Sequence, residues 1–241
     1  MNISFFSEKI LEIRGWPISN TLLMSWISMA LLVVFSFFVR SRLKAVPGKV
    51  QNLAEVLIEG MESFMTTVTG DKEKTRRFFP IVATLFIFIL ISNWMGILPG
   101  VGSIGIMEHE ELVPFFRSTN SDINMTLALA IISVMATQIF GISMVGFSHY
   151  FSKFISFKGP IQFFTGILEL IAEIAKIISF SFRLFGNIFA GEVLLVVIFF
   201  LVPLIVPLPF LFLEIFVGFI QALVFAMLTL VFLTVATQKE H

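Results

Sequence analysis

The chain contains no cysteine, which excludes disulfides, thiolate metal sites and thiol chemistry while leaving the compartment open. Its three histidines, His109, His149 and His241, are scattered through loops and the tail, and no HExxH occurs. No metal site and no metalloprotease chemistry is therefore expected. A cofactor signature is missing too: Gly186 and Gly191 have the spacing of a phosphate-binding loop, but Glu192 stands where a lysine is required. The sequon at Asn124-Met125-Thr126 sits at the mouth of an apolar run and reads as chance. Charge is scarce, at 13% of residues, and sums to zero, so no global field recruits nucleic acid. Soluble domains carry roughly a quarter charged residues. The opening MNISFFSEKILEIRGW mixes acids and bases before any apolar run, unlike a secretory signal or an acid-poor transit peptide.

Hydrocarbon is what the chain has instead. It is 57% hydrophobic, and its 31 phenylalanines against one tyrosine suit a surface facing lipid. Several apolar runs approach or exceed the roughly 20 residues that span a bilayer. The expected fold is all-α and membrane-integral, a single membrane domain of five membrane helices plus one interfacial amphipathic helix. Residues 1–20 form an external N-terminus and 21–39 the first span, stopped by Arg40, Arg42 and Lys44. In 48–69, Val50, Leu53, Leu57, Met61, Phe64 and Met65 recur at helical spacing opposite Glu55, Glu59 and Glu62, the pattern of a helix lying on a surface. Further spans cover 78–98 and 122–147, the second with Asp122 near its N-cap.

Two long segments follow, 161–201 and 210–238, separated by Pro203, Pro207 and Pro209. At 1.5 Å per residue they would extend roughly 60 Å and roughly 44 Å, against a hydrocarbon core of about 30 Å. Neither fits upright, so the pair is expected to be a long, tilted, antiparallel hairpin. Half of the 16 lysines and arginines fall between Arg40 and Arg77, which makes that stretch cytoplasmic by the positive-inside rule. Alternation then places the N-terminus and the acidic 99–122 loop outside. The loop holding Lys153 and Lys158, and the C-terminus, lie inside.

Inside this hydrocarbon sit Arg183, Glu192 and Glu214. A charge at the bilayer centre costs about 3 kcal/mol on insertion scales, so it normally faces water, a partner or a moving ion. A guanidinium cannot neutralise itself, whereas a carboxyl can. Fixed positive charge among titratable acids points to proton or ion transport. Glu169, Lys176 and Arg183 are spaced by seven and share a helix face, joined by Glu173; Glu192, nine residues beyond Arg183, points to roughly the opposite side. In an antiparallel hairpin, residues at one depth have a nearly constant index sum. Glu192 with Glu214 gives 406 and Arg183 with Gln221 gives 404, making Gln221 a hydrogen-bond partner for Arg183 and placing both glutamates in one pocket.

Blander readings stand beside these. Glu169, Glu173 and Lys176 lie near a membrane end, where snorkelling interface residues are common. Glu214 could be a merely structural buried acid, and Arg183 a structural ion pair. A self-contained secondary transporter or channel is the alternative function, but it would need a substrate cavity and usually internal repeats, and the two halves differ in charge and helix length. An inert scaffold would leave three costly charges unexplained.

The string Ser181 to Glu192, SFRLFGNIFAGE, followed by a glutamine-bearing apolar helix after a proline turn, closely resembles subunit a of F-type ATP synthases. Ile91-Ser92-Asn93-Trp94 with Gly96 and Pro99, and Ser121-Asp122-Ile123-Asn124-Met125-Thr126, extend the resemblance over nearly the whole chain. It implies a stator subunit of the membrane sector, without chemistry on ATP in this chain, forming two offset proton half-channels against a ring of c subunits. Its other implied partners are b-type peripheral stalk subunits, the rest of the synthase, the bilayer and the protons moved. Arg183 resembles the essential stator arginine. Glu192, Asn187, Glu214 and Gln221 match outer-path positions; Glu169, Lys176 and Ser179 match the inner path, with Glu173 beside them. Glu214 stands where many bacterial members carry histidine, so both outer acids are glutamates here. With no targeting extension, a bacterial plasma (inner) membrane is the expected location, although an organelle-encoded chain would look similar.

Overall fold

The computed structural model describes residues 8–13, 16–44, 46–98, 100–101, 104–108, 111–152, 154, 159–203 and 205–238. Lys153, Lys158, Pro99, His109 and His241, which the sequence reading used, lie outside these residues. Among the described residues seven helices follow in chain order: α1 Asn20–Ser41, α2 Lys49–Thr69, α3 Lys72–Ile97, α4 Ile123–Val145, α5 Phe147–Ser152, α6 Pro160–Leu201 and α7 Pro207–Ala236. All but α2 and α5 are long and apolar enough to cross a membrane.

Local chemistry sets the boundaries. Ser19 accepts from Leu22 N–H to start α1, and Asp71 accepts from Glu73 and Lys74 N–H to start α3. The Asp71 cap carries α3 back through the charged residues 72–77, six residues before the apolar run begins. Gly70, at φ 67°, closes α2 by returning its N–H to Thr66, a left-handed conformation that glycine adopts without a steric cost. Asp122 caps α4 through Asn124 N–H and also accepts from Thr21 Oγ1 at 2.9 Å, tying α1 to α4. Prolines at the first turns of α6 and α7 lose no helical hydrogen bond there.

Two short antiparallel hairpins were not legible in the sequence: β1 Lys9–Ile13 with β2 Trp16–Ser19, and β3 Gly105–Glu108 with β4 Glu111–Pro114. Strands of four and five residues are too short to establish a period. The stretch read as a loop from His149 also begins inside a helix, the six-residue α5.

At the centre, α7 packs against α3, α4 and α6. Phe78, Val82, Phe86 and Ile89 of α3, Leu184 and Ile188 of α6, and Phe225, Leu230 and Leu233 of α7 form one core. Phe180 lies 5.5 Å from Phe232 and 4.9 Å from Phe225, measured between ring centroids. Lipid tails are as apolar as these side chains, so packing and polar cross-links must hold the helices together. Ser133 bonds Thr229 at 2.8 Å, joining α4 to α7, and Thr126 bonds Ser181 at 3.1 Å, joining α4 to α6. Asn93 of α3 donates to Gly218 O at 2.9 Å and accepts from Asn120 at 2.7 Å, while Trp94 Nε1 donates to Ile215 O.

The hairpin is antiparallel, with Gly191 against Glu214 and Phe180 against Phe225, pairs whose indices both sum to 405. At 42 residues, α6 would run roughly 63 Å, about twice the hydrocarbon thickness, so it must lean. In α2 only Met61 and Met65 reach the core; Leu53 and Leu57 remain exposed, so most of its apolar face is turned away from the chain. Asn93→Ala removes both cross-links of that side chain and strands a buried amide of Asn120. A loss of about 1–3 kcal/mol is expected, read as earlier heat inactivation of the solubilised assembly.

Candidate functional site

The charged residues of α6 separate onto two sides. Ser179, Arg183 and Asn187, four residues apart, form one outward stripe, and all three are exposed. Phe182 (56% exposed) and Ile178 (51%) border it, and Ala175, Gly186 and Ala190 leave it shallow. Arg183 makes no hydrogen bond or ion pair with any described residue. The expected bond to Gln221 is not formed: Gln221 is half-buried on α7, while Arg183 points off the open face of α6. The seven-residue stripe read from sequence also divides. Each seven-residue step falls about 20° short of full turns, so two steps take Arg183 roughly 40° away from Glu169. Glu169 and Lys176 stay half-buried, and Arg183 reaches the exposed side.

Glu192 turns the other way. Its Oε1 lies 3.2 Å from Nε of Arg117, a buried residue on the segment between β4 and the 3-10 turn Thr119–Ser121. Glu214 approaches from α7 and lies against Gly191, where an added Cβ would sit 2.9 Å from Glu214 Oε1 and 3.2 Å from its Cδ. Glu214 thus lies beside the residue next to Glu192, and the two glutamates interact electrostatically. Glu192 Oε2 and Glu214 Oε2 are both buried without a hydrogen-bond partner among the described residues. Each leaves an oxygen able to take a proton.

A second polar cluster lies at the other end of α6. Lys176 Nζ donates to Glu173 Oε1 at 2.7 Å and sits 4.7 Å from the centre of the Phe232 ring. Glu173 Oε2 is buried without a partner among the described residues. Tyr150 of α5 joins this cluster, donating its phenolic proton to Gln138 Oε1 of α4 at 2.6 Å. Burial, then the charges of Glu173 and Glu169, push the phenol up from 10.0 to about 12. Ionisation would add an anion beside two carboxylates in a desolvated place, so the proton is retained.

Arg117, Tyr150 and Gln138 were missed in the sequence. Arg117 falls within the stretch taken as an outside acidic loop, although Phe115 and Phe116 just before it were a sign of burial. Tyr150 carried the signal of being the one tyrosine of the chain. Among the described residues no group of three or more histidine, aspartate or glutamate side chains is placed to hold a metal ion.

Long apolar helices, polar cross-links between them and ionisable side chains at membrane depth define an integral membrane protein. The family model described as ATP synthase A chain matches residues 22–234. ATP synthase subunit a 3 of Pelobacter propionicus is 36% identical over 219 residues, covering 90% of this chain and 87% of its own length. ATP synthase subunit a of Syntrophobacter fumaroxidans is 37% identical over 222 residues, covering 90% and 84%. That of Citrifermentans bemidjiense is 35% identical over 243 residues, covering 99% and 97%. The chain belongs to the ATP synthase subunit a family, the stator subunit of the membrane sector of F-type ATP synthases, and the rest of that complex is its partner.

Two measurements check this geometry. With one tyrosine present, ultraviolet titration of the purified chain reads Tyr150 alone; tyrosinate should not form in quantity until pH nears 12. A midpoint near 10 would show an exposed phenol. Gly191→Ala overpacks the contact with Glu214, a change that typically costs about 1–3 kcal/mol. It should lower both heat stability and ATP-driven proton pumping, and full retention of both would show that the two helices do not meet so closely.

Proposed function

We propose that this subunit forms two offset proton half-paths against a ring of c subunits, with Arg183 separating them. One observation carries the proposal: a guanidinium that cannot deprotonate projects from a shallow helix face bearing no other charge, with no partner among the described residues. In a membrane such a face meets lipid or another chain, and a fixed cation there demands an anion from that chain. A ring carboxylate supplies it.

Protons enter from the outer side through Glu192 and Glu214, with Asn187 and Gln221 on the way to the ring. They neutralise a ring carboxyl, which then turns into lipid. After nearly a full rotation the carboxyl meets the inner path, built from Ser179, Lys176, Glu173 and Glu169. Arg183 favours the ionised carboxylate and so promotes release. It also blocks a direct leak, since a cation repels an excess proton and cannot accept one. Supporting this offset, Glu192 turns inward to Arg117 while Arg183 turns outward, and the Glu173–Lys176 pair sits at the opposite end of α6 from Glu192.

The basic stretch between Arg40 and Arg77 faces the cytoplasm, the N-terminus and the acidic 99–122 loop face outward, and the membrane is a bacterial inner membrane. Peripheral stalk subunits of the b type hold the chain against rotation.

Arg183→Ala is expected to abolish ATP-driven proton pumping in membrane vesicles while the complex still assembles; wild-type coupling would overturn the role. Arg183→Lys should fail as well, because an ammonium lacks the planar fork and can lose its proton when desolvated. Replacing Glu192 and Glu214 together by Gln should slow uptake from the outer side, and unchanged flux would reduce both to structural acids. The chain reconstituted alone should move few protons, whereas an independent transporter would move them without a ring.

A further inference from the structure

We infer that Arg117 is the positioning residue of the outer path: it supplies Glu192 with a fixed countercharge and holds its carboxylate where Glu214 can exchange a proton with it. The inference rests on the half-path reading above and assigns a role to a residue that reading does not use.

Arg117 is buried, cannot lose its proton, and has its Nε 3.2 Å from Glu192 Oε1. A buried guanidinium requires an anion nearby, and Glu192 provides one from α6. The contact engages one oxygen only. Glu192 Oε2 remains buried without a partner among the described residues, so the carboxylate is anchored at one atom while the other remains open to a proton. Glu214 of α7 also faces Glu192: the two interact electrostatically, and Glu214 lies against Gly191.

Arg117 itself is held by a rigid turn. Ser121 N–H and Oγ both donate to Ser118 O, at 3.2 and 2.8 Å. Asn120 is bonded to Asn93 on α3. A Cβ on Gly96 of α3 would lie 2.6 Å from Ser118 Cβ and 3.2 Å from its Cα, so only glycine lets the segment seat this deeply. The Asn93-Trp94 pair and Gly96 therefore do more than join helices. They fix the backbone from which Arg117 reaches Glu192.

The test uses vesicles containing the whole synthase, with ATP-driven proton pumping normalised to assembled complex. Arg117→Gln is expected to lower flux by on the order of tenfold to a hundredfold, the scale of a roughly 1 Å misplacement at a reacting group. Arg117→Lys should recover most of it, because an ammonium keeps a positive charge facing Glu192 Oε1. The double variant Arg117→Gln/Glu192→Gln should lose less than the product of the two single losses, since the contact between them is already gone. Losses that multiply in the double variant, or Arg117→Lys as slow as Arg117→Gln, would overturn the inference. If Arg117→Gln assembles only when Glu192→Gln accompanies it, the pair is supported; failure of both to assemble means a purely structural arginine and overturns it. Arg183→Ala, run in parallel, separates the two levels. Pumping by that variant would sink the half-path reading, whereas its loss together with multiplying effects at Arg117 would sink this inference alone.

Discussion

A positive charge that cannot be switched off, placed on an exposed face of α6 that bears no other charge, is the constraint around which this molecule is organised. Arg183 has no acid of its own among the described residues and is not drawn inward by Gln221. A lysine there could surrender its proton and a carboxylate could acquire one, but a guanidinium can do neither. On the proposed reading, its charge is met by an anion from outside the chain. That requirement turns a membrane bundle into half of a machine.

Everything else on α6 is consistent with keeping that charge presented. The stripe beside Arg183 is small where it needs to be shallow, at Ala175, Gly186 and Ala190, and polar in line with the arginine, at Ser179 and Asn187. The acids are turned away from it: Glu192 is engaged by Arg117, and Glu173 by Lys176. Had either acid fallen on the outward face within reach, it would have neutralised Arg183 within the chain.

A bundle in lipid lacks the solvent exclusion that drives soluble helices together, and this one compensates with polar pins and close approaches. Asn93 and Trp94 bind carbonyls of α7, Ser133 binds Thr229, and Thr126 binds Ser181. Glycine occurs where backbones or acids must come near. Gly191 admits Glu214, Gly218 admits Asn93, and Gly96 admits Ser118. Motif residues that look functional in a sequence are thus divided between those that present charge and those that let the presenting helices touch.

Hydrophobic run length and helical period decided the five spanning helices, because a bilayer of fixed thickness and a rise of 1.5 Å per residue leave little freedom. The proline turn and the index sums likewise decided the antiparallel hairpin, since a helix pair joined by a short turn has only one register. The short strands, the helix at Phe147–Ser152 and the partners of individual charges were decided by tertiary structure. Arg117 lies 75 positions from Glu192 along the chain, and no periodicity spans that distance. Whether Arg183 faced Gln221 or the outside depended on roughly 40° of accumulated helix rotation and on which side of α6 its neighbours covered, and only the packed bundle sets the second of these.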